Sequence, residues 1–405
     1  MRRTLGKLWL LSTLYFSQGL PFGFFSQALP ALMRQRGYSL EHIGLSSLLA
    51  APWAFKFLWA PLVDRTGAGK PGRRKAWILP LQALAALTLA GLAFLEPQGP
   101  GLGVLMAAVV VTNVLAATQD VPTDALAVAM LSEQERGAGN GVQLAGYRVG
   151  MIVGGSAMLV LFDRLGWRLT FLLMAGLVAL ATVPVLLFRE PAGEVPKARP
   201  TLAAVATFFR RDGAAAWVLL LVVWKAGESL GTGVLRAFLV DHGATLTDIG
   251  ELLGTVGFTA GLAGALGGGA LVGRLGRGAA LWLFGLAQAA TMLGWWYVAA
   301  HGAYPSLVAT CIVEHLASGA ATAVLFTWMM DACRPGLEGT DYTVQASAVV
   351  VAQGGAYALS GLSAARLGYE LHFALGFGLC VGAVVLAFLV RRPLERFRSG
   401  PVATP

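Results

Sequence analysis

Long apolar stretches recur along the whole chain, and they limit what it can fold into. A helix that crosses the hydrocarbon core of a bilayer needs roughly 20 apolar residues. Only 13% of the residues are charged, whereas soluble domains average about 25%. The sequence therefore predicts an all-α polytopic membrane protein with about twelve transmembrane helices. The predicted spans lie near 8–32, 43–63, 75–95, 102–130, 138–162, 167–188, 215–240, 248–272, 279–299, 304–332, 342–365 and 370–390.

Basic residues between these stretches indicate the orientation of the chain. With the N-terminus inside, 21 of the 30 lysines and arginines face the cytoplasm and five face the opposite side. The positive-inside rule therefore predicts that both termini are cytoplasmic, which agrees with an even number of spans. The net charge of +9 is explained by this asymmetry, so no nucleic-acid partner is expected.

The two halves of the sequence resemble each other. "GYSLEHIG" at 37–44 matches "GATLTDIG" at 243–250, and "GWRLTFLL" at 166–173 matches "GYELHFAL" at 368–375. We predict a six-helix half at 1–190, a cytoplasmic linker at 191–213 and a second six-helix half at 214–405. An even number of spans per half makes the repeat parallel, as in major facilitator transporters, with a solute site near the midplane. The alternative is a duplicated scaffold without a transport role.

Ionisable residues lie deep in two predicted spans of the first half. Asp120 and Arg148 are each about 10 residues from the inner end of their spans, which puts both roughly 15 Å deep. We expect them to pair. Asp124 lies one turn from Asp120 on the same helix face. The group is either a proton-coupling site or a permanent structural ion pair, and the sequence leaves both open.

The second half has its own deep charges. Lys225 and Glu228 are three residues apart, so they share one face of the seventh span, and Glu314 is deep in the tenth. A carboxylate beside a lysine can take up and release a proton, so these residues are also candidates for proton coupling. A permanent pair is again the alternative.

Uncharged polar and aromatic side chains on the spans are candidate solute contacts. Arg236, nearer the outer surface, either meets an anionic group of the solute or snorkels. Lys56 is expected to snorkel towards the cytoplasm, and Asp331 to face the interface only. Gly146, Gly150 and Gly154 form a ridge that predicts close helix packing. The other solute candidates are Tyr15, Gln18, Gln27, Asn113, Gln119, Gln143, Tyr147, Trp224, Gln345 and Gln353.

The loop after the second span reads "APLVDRTGAGKPGRRKAW" at 60–77. It resembles the major facilitator signature of that loop, an acidic–basic pair followed by glycine and basic residues. The resemblance implies that Asp64 caps a helix N-terminus and, with Arg65, Arg73 and Arg74, forms a conformational latch. Gly273 stands where the second copy would have its acid, so a one-sided latch is expected.

Five segments, two of which overlap that loop, resemble the AmpG-type permeases, a group with muropeptide permeases and RhtX/FptX-type siderophore permeases. The resemblance implies proton-coupled import and supports Asp120, Asp124, Arg148, Lys225 and Glu228 as functional positions. Muropeptide permeases of this group often have additional spans, so twelve spans favour the siderophore branch. The segments are "FKFLWAPLVDR" at 55–65, "GRRKAWILPLQ" at 72–82, "ATQDVPTDAL" at 117–126, "ERGAGNGVQLAGYRVG" at 135–150 and "WKAGESL" at 224–230.

Taken together, these features predict a secondary transporter that imports a siderophore or muropeptide across the bacterial inner membrane by alternating access. The proton gradient would supply the energy, and no cofactor is expected. We expect a monomer whose partners are a small-molecule solute and the lipid bilayer. A drug or metabolite exporter of the same superfamily is the main alternative. An intramembrane enzyme is disfavoured, because the five histidines show no catalytic or metal-ligand spacing. A non-transporting sensor is disfavoured by the deep charges.

Overall fold

The computed structural model describes residues 2–29, 51–66, 72–95, 101–190, 202–302 and 304–399. Every regular element within these ranges is helical. The α-helices are α1 (Arg2–Gly23), α2 (Ala51–Phe55), α3 (Ala60–Arg65), α4 (Lys75–Leu92), α5 (Gly101–Met130), α6 (Glu133–Ile152), α7 (Met158–Leu187), α8 (Leu202–Phe209), α9 (Ala214–Thr232), α10 (Leu235–Asp241), α11 (Leu246–Ile249), α12 (Gly257–Leu275), α13 (Arg277–His301), α14 (Tyr304–Asp331), α15 (Glu338–Leu389) and α16 (Arg391–Ser399).

Within the described residues, nine helices are long and apolar enough to cross a membrane. The longest, α15, has 52 residues. At about 1.5 Å per residue it would reach about 78 Å, more than twice the roughly 30 Å of the hydrocarbon core. It bends at Gly368, so it supplies two spans. Residues 43–50 of the predicted second span lie outside the described residues, and the rest of it corresponds to α2, the 3-10 segment Lys56–Leu58 and most of α3.

The internal repeat recurs in the backbone. Gly166 has φ 70° and Gly368 has φ 75°, and each interrupts a long helix. Side chains other than glycine are disfavoured at such positive φ values. These two glycines open the matched segments "GWRLTFLL" and "GYELHFAL". The same turn therefore recurs 202 residues later in the chain.

Contacts between residues divide the chain into two compact units. Unit 1 comprises Met1–Leu131, Ala145–Val205 and Arg334–Thr343. Unit 2 comprises Ser132–Leu144, Ala206–Cys333 and Val344–Pro405. The units differ from the two predicted halves in two short segments. Ser132–Leu144, from the first half of the sequence, belongs to unit 2, and Arg334–Thr343, from the second half, belongs to unit 1. The boundaries at 190 and 214 concern the repeat itself and stay a prediction.

Each unit has a buried apolar core. In unit 1, Phe24, Leu89, Val109 and Phe171 belong to one cluster drawn from α4, α5, α7 and the π-helical turn after α1. In unit 2, the rings of Phe238, Trp295 and Phe373 pack together, with centroids 5.2–6.2 Å apart. Buried aromatic pairs of this kind contribute about 0.5–1.5 kcal/mol beyond the area they bury.

The glycine ridge on α6 and the turn after it packs directly against α1. A Cβ atom at Gly146 would lie 2.6 Å from the carbonyl oxygen of Ser12, and one at Gly150 would lie 2.9 Å from the backbone nitrogen of Leu20. Gly154 contacts the carbonyl of Leu20 in the same way. Backbone approaches this close require residues without a Cβ. The predicted close packing is confirmed for all three glycines.

Candidate functional site

Two carboxyl groups and one ammonium are buried together in unit 1. Lys56 forms an ion pair with Asp120. Asp124, one turn further along α5, accepts a hydrogen bond of 2.5 Å from the hydroxyl of Tyr15 on α1. Asp120 and Asp124 are four residues apart on α5, so they lie on the same face of that helix. None of these four side chains is more than 9% exposed, so the group is shielded from water.

The sequence predicted the two acids of this cluster and missed its cation. The expectation that Lys56 snorkels is wrong, because the side chain is buried and its ammonium is paired with Asp120. The expected pairing of Asp120 with Arg148 stays a prediction. Arg148 is half-buried on α6. Lys56 begins a 3-10 segment between α2 and α3, and this interruption of the helix changes where its side chain points.

Aromatic rings lie beside this ion pair. Phe22, Trp53 and Tyr147 have ring centroids 5.9–6.5 Å apart. The ammonium of Lys56 lies 5.5 Å from the Trp53 ring, within range of a cation–π interaction. The indole of Trp53 donates a hydrogen bond of 3.2 Å to Asn113. Three helices thus supply a half-buried aromatic group next to a buried charge.

Two of the predicted glutamines, Gln18 and Gln119, differ in their hydrogen bonding. Gln119 donates to the hydroxyl of Ser17 at 3.4 Å, and Gln82 donates to the same hydroxyl at 2.9 Å. Gln18 is 1% exposed, yet neither polar atom of its amide has a hydrogen-bond partner in the described part of the chain. A buried amide in that condition costs about 1–3 kcal/mol. The side chain of Gln27 lies outside the described residues.

Unit 2 holds a second buried charge group. Lys225 pairs with Glu228 on the same face of α9, as their spacing predicted. Glu228 also accepts a hydrogen bond of 2.5 Å from Ser318, and Lys225 donates one of 3.2 Å to Thr322. Both hydroxyls are on α14. The pair is therefore satisfied by its own members and by one neighbouring helix.

Glu314, the other deep acid of unit 2, has a partner that the sequence analysis missed. Its carboxylate lies 2.8 Å from Nδ1 of His315, the next residue. His315 also contacts the carbonyl oxygen of Cys311 at 3.0 Å. Adjacent residues on a helix do not face each other in general, so the spacing gave no signal for this pair.

The remaining candidates of unit 2 are spread over several environments. Trp224 is buried and packs against Gly285. Both polar atoms of the Gln345 amide are hydrogen-bonded within unit 2. Its Oε1 accepts from the indole of Trp217 at 2.7 Å, and its Nε2 donates to the carbonyl of Met329 at 3.1 Å. The Oε1 atom of buried Gln143 has no hydrogen-bond partner within the described ranges. Gln353 is half-buried and Arg236 is exposed.

Three residues of the predicted latch, Asp64, Arg73 and Arg74, contact the start of α15 within unit 1. Asp64 accepts hydrogen bonds from the backbone N–H of Gly339 at 3.2 Å and of Thr340 at 2.6 Å, and from the Thr340 hydroxyl at 2.7 Å. The carboxylate therefore caps this helix N-terminus, where negative charge is stabilised. Burial raises the pKa of Asp64 to about 6, although the hydrogen bonds from Thr340 oppose this shift.

Two arginines of the same loop bind an acid in the first turn of α15. Arg73 and Arg74 lie 3.2 and 3.1 Å from the carboxylate of Glu338, and Arg74 also pairs with Glu190 at 3.3 Å. Arg65 is exposed. Glu190 and Glu338 were missed because the resemblance named only the basic side of the contact. Glu338 had one available signal, its position at the start of a span.

Asp331 corrects a further expectation. Its carboxylate is 1% exposed rather than at the interface, and it accepts from Arg136 at 2.6 Å and from Arg277 at 2.9 Å. All three residues belong to unit 2. Arg277 comes from the second copy of the signature, which lacks the acid at Gly273. The one-sided latch stays a prediction, and unit 2 has an ion cluster built on a different acid.

Residues 11–354 match the Major Facilitator Superfamily. The Anhydromuropeptide permease of Escherichia coli (strain K12) is 32% identical over 96% of this chain and 80% of its own length. An uncharacterized protein of Haemophilus influenzae is 29% identical over 94% and 93%. The structure of the proton:xylose symporter XylE has a TM-score of 0.72 at 10% identity, covering 95% of each chain, and thus shares the fold.

Proposed function

The chain belongs to the major facilitator superfamily and, within it, to the AmpG-type permeases, and from that membership we propose that it imports an anhydromuropeptide with protons. It is a multi-pass membrane transporter and not an enzyme. The observation that carries the choice of solute is the 32% identity to an anhydromuropeptide permease along nearly the whole chain. That likeness outweighs the length argument for a siderophore.

Proton coupling is supported by the buried charges. A carboxylate inside a membrane costs free energy, and such residues usually mark functional sites such as proton relays. Unit 1 has Asp120 and Asp124 around Lys56, and unit 2 has Glu228 and Glu314. Each is shielded enough that its protonation state alters the energy of its surroundings by several kcal/mol. We propose alternating access as the transport cycle, with Asp64, Arg73 and Arg74 stabilising one of its states.

The aromatic group of unit 1 is the proposed solute contact. Ligand sites combine aromatic walls with a few placed polar groups. Phe22, Trp53 and Tyr147 supply the walls, and the unsatisfied amide of Gln18 supplies a donor and an acceptor. Trp53→Ala and Gln18→Ala should each raise the KM of uptake by about tenfold, the equivalent of roughly 1.4 kcal/mol. Trp296→Ala, on the exposed side of α13, is the control and should leave KM unchanged.

The central experiment is uptake into vesicles that contain the purified protein. A radiolabelled anhydromuropeptide and a ferric siderophore are offered with and without an inward proton gradient. We expect gradient-driven uptake of the anhydromuropeptide alone. Uptake of the siderophore alone would overturn the solute, and uptake that ignores the gradient would overturn the coupling. Expulsion from preloaded vesicles without uptake would favour an exporter.

The placement of the protein in the cell follows from the same arguments. We propose the bacterial inner membrane, with both termini in the cytoplasm and the monomer as the working unit. The distribution of basic residues supports this orientation. A fluorescent protein fused after Pro405 should fold and fluoresce, whereas alkaline phosphatase fused there should be inactive. The opposite pair of results would reverse the orientation.

A further inference from the structure

A short basic helix, α16, follows directly after the last span. α15 ends at Leu389 and α16 begins at Arg391. The nine residues of α16 include four arginines and one glutamate, a net charge of +3. Its apolar side chains Leu394 and Phe397 share one face of the helix and are each 2% exposed, whereas Arg391 and Arg392 are exposed. The helix therefore buries one face in unit 2 and presents charge on the other.

The buried face of α16 is clamped by the segment that joins α8 to α9. The ring centroid of Phe397 lies 5.4 Å from that of Phe208 and 6.3 Å from that of Trp217. The guanidinium of Arg211 lies 3.9 Å from the Phe397 ring and donates a hydrogen bond of 2.6 Å to the Phe397 carbonyl oxygen. The last carbonyl groups of a helix have no partner within it, so this bond stabilises the end of α16. α16 is thus a fixed element of unit 2.

Aromatic side chains place the start of α16 at the edge of the membrane. Phe388, in the last turn of α15, is 47% exposed. Its ring centroid lies 5.5 Å from that of Trp282 on α13, and the guanidinium of Arg391 lies 4.7 Å from it, within range of a cation–π interaction. Aromatic residues are enriched where the hydrocarbon core meets the phospholipid headgroups. Arg391 is therefore held at the level of the headgroups.

We propose that Arg391 and Arg392 bind the phosphate group of an anionic phospholipid, and that the clamp on α16 holds them at the headgroup level. A guanidinium is suited to this task because its planar fork binds two phosphate oxygens at once. Two arginines on a fixed helix also lose less conformational entropy on binding than the same two on a free tail. The inference uses only the membrane-spanning fold, so it is independent of the solute and of proton coupling.

The other charges of α16 limit where the phosphate can bind. Arg396 pairs with Asp212 at 3.2 Å, so its charge is partly offset. Glu395 is exposed and lies one turn from both Arg391 and Arg392, so it can offset one of these charges but not both. The remaining positive charge lies beside the exposed apolar end of the last span. A phospholipid matches both features, since its phosphate meets the arginines and its acyl chains cover the apolar surface.

The test is a lipid titration of the whole chain, followed by native mass spectrometry of the protein released from detergent micelles. We expect phosphatidylglycerol to bind at least tenfold more tightly than phosphatidylcholine. Arg391→Gln/Arg392→Gln should weaken phosphatidylglycerol binding at least tenfold, whereas Glu395→Gln should tighten it roughly fivefold, because each charge near the surface has an effect of this order. The matched control Arg210→Gln/Arg396→Gln removes the same charge from other exposed positions and should leave the Kd unchanged.

Three results of this titration would overturn the lipid site. Equal binding of the two lipids would show that the phosphate charge is not recognised. Equal losses in the two double variants would show attraction to the total charge instead of to the start of α16. Glycerol phosphate, which has the phosphate but no acyl chains, is added as a competitor. If it displaces phosphatidylglycerol at matching concentrations, the site belongs to a soluble anion.

The clamp is tested with two neighbouring arginines. Arg211→Gln removes the contact with Phe397 and frees α16, so phosphatidylglycerol binding should weaken several-fold although Arg391 and Arg392 are still present. Arg210→Gln removes the same charge from an exposed position one residue away and should leave the Kd unchanged. Equal Kd values for the two variants would contradict the role of the clamp. None of these measurements involves transport, so failure of the proposed import would leave them unaffected.

Discussion

Asp124 in unit 1 and Glu228 in unit 2 are both acids inside the membrane, but their surroundings differ. Asp124 accepts a hydrogen bond from a phenol, the hydroxyl of Tyr15. Glu228 has an ammonium three residues away on its own helix and a hydroxyl from α14. An ammonium stabilises a carboxylate more than a neutral hydroxyl does, so the direct partner of Glu228 compensates its charge better than the direct partner of Asp124 does. The two clusters therefore suit different tasks.

The same contrast recurs in the buried acids of the helix ends. Asp64 in unit 1 is bound mainly by two backbone N–H groups and one hydroxyl, with Arg73 4.0 Å away. Asp331 in unit 2 is bound by two arginines, at 2.6 and 2.9 Å. In both pairs of acids, unit 1 relies on hydrogen-bond donors and unit 2 on full positive charges. Unit 1 is therefore the part of the molecule that should respond to protons.

Removal of Lys56 should have the largest effect. Lys56→Met leaves Asp120 buried without its cation, and breaking a buried ion pair from one side costs about 3–5 kcal/mol. We expect a lower Tm in nanodiscs and loss of uptake. The double variant Lys56→Met/Asp120→Asn removes both charges and should recover most of the Tm. Without that recovery, the loss would come from packing and not from charge.

The pH dependence of the Asp64 contact should come next. Its pKa of about 6 in the folded protein lies above the ordinary 3.8. The group therefore stabilises this conformation fully below about 3.8, and that contribution is lost as the pH rises through about 6. The difference is at most about 3 kcal/mol. Asp64→Asn should abolish this part of the change in Tm between pH 4 and 7, and exposed Arg65→Gln should preserve it. An unchanged slope in Asp64→Asn would contradict the contrast with unit 2.

The sequence predicts features that depend on a single helix better than contacts between helices. Hydropathy gave the spans, and residue spacing gave the Lys225–Glu228 pair and the glycine ridge, because these depend on one helix at a time. Depth also selected Asp120 and Asp124. It could not select their partners, since the direction of a side chain depends on how neighbouring helices rotate and break. Lys56 was misjudged because the 3-10 turn at Lys56–Leu58 has no clear sequence signal.

Asp331 illustrates a second limit of the sequence. Its partners Arg136 and Arg277 are 195 and 54 residues away along the chain. Only the packing of three helices brings them together, and no local motif encodes that packing. Asp64 was predictable for the opposite reason, because its loop carries a recognisable signature. Even there, the signature predicted the capping acid Asp64 and the arginines. It did not predict Glu190 and Glu338, the two acids that form ion pairs with those arginines.

Removal of Lys225 should cost less than removal of Lys56. Glu228 loses its ammonium in Lys225→Met but keeps the hydrogen bond from Ser318, and its side chain is 13% exposed. Loss of one charge-assisted hydrogen bond under these conditions corresponds to about 2 kcal/mol. The drop in Tm should therefore be clearly smaller than for Lys56→Met. Equal drops would mean that both clusters are compensated alike, and the proposed division of roles would fail.

An exposed ion pair sets the baseline for these comparisons. Asp212 and Arg396 lie 3.2 Å apart, but their side chains are 70% and 63% exposed. Pairs of this kind contribute about 0–1 kcal/mol, because water screens the attraction and the two side chains lose freedom. Asp212→Ala should therefore leave Tm and uptake within error of the wild type at both pH 4 and pH 7. A larger effect would indicate that α16 depends on this contact, and the costs at Lys56 and Lys225 would then have to be measured against a higher baseline.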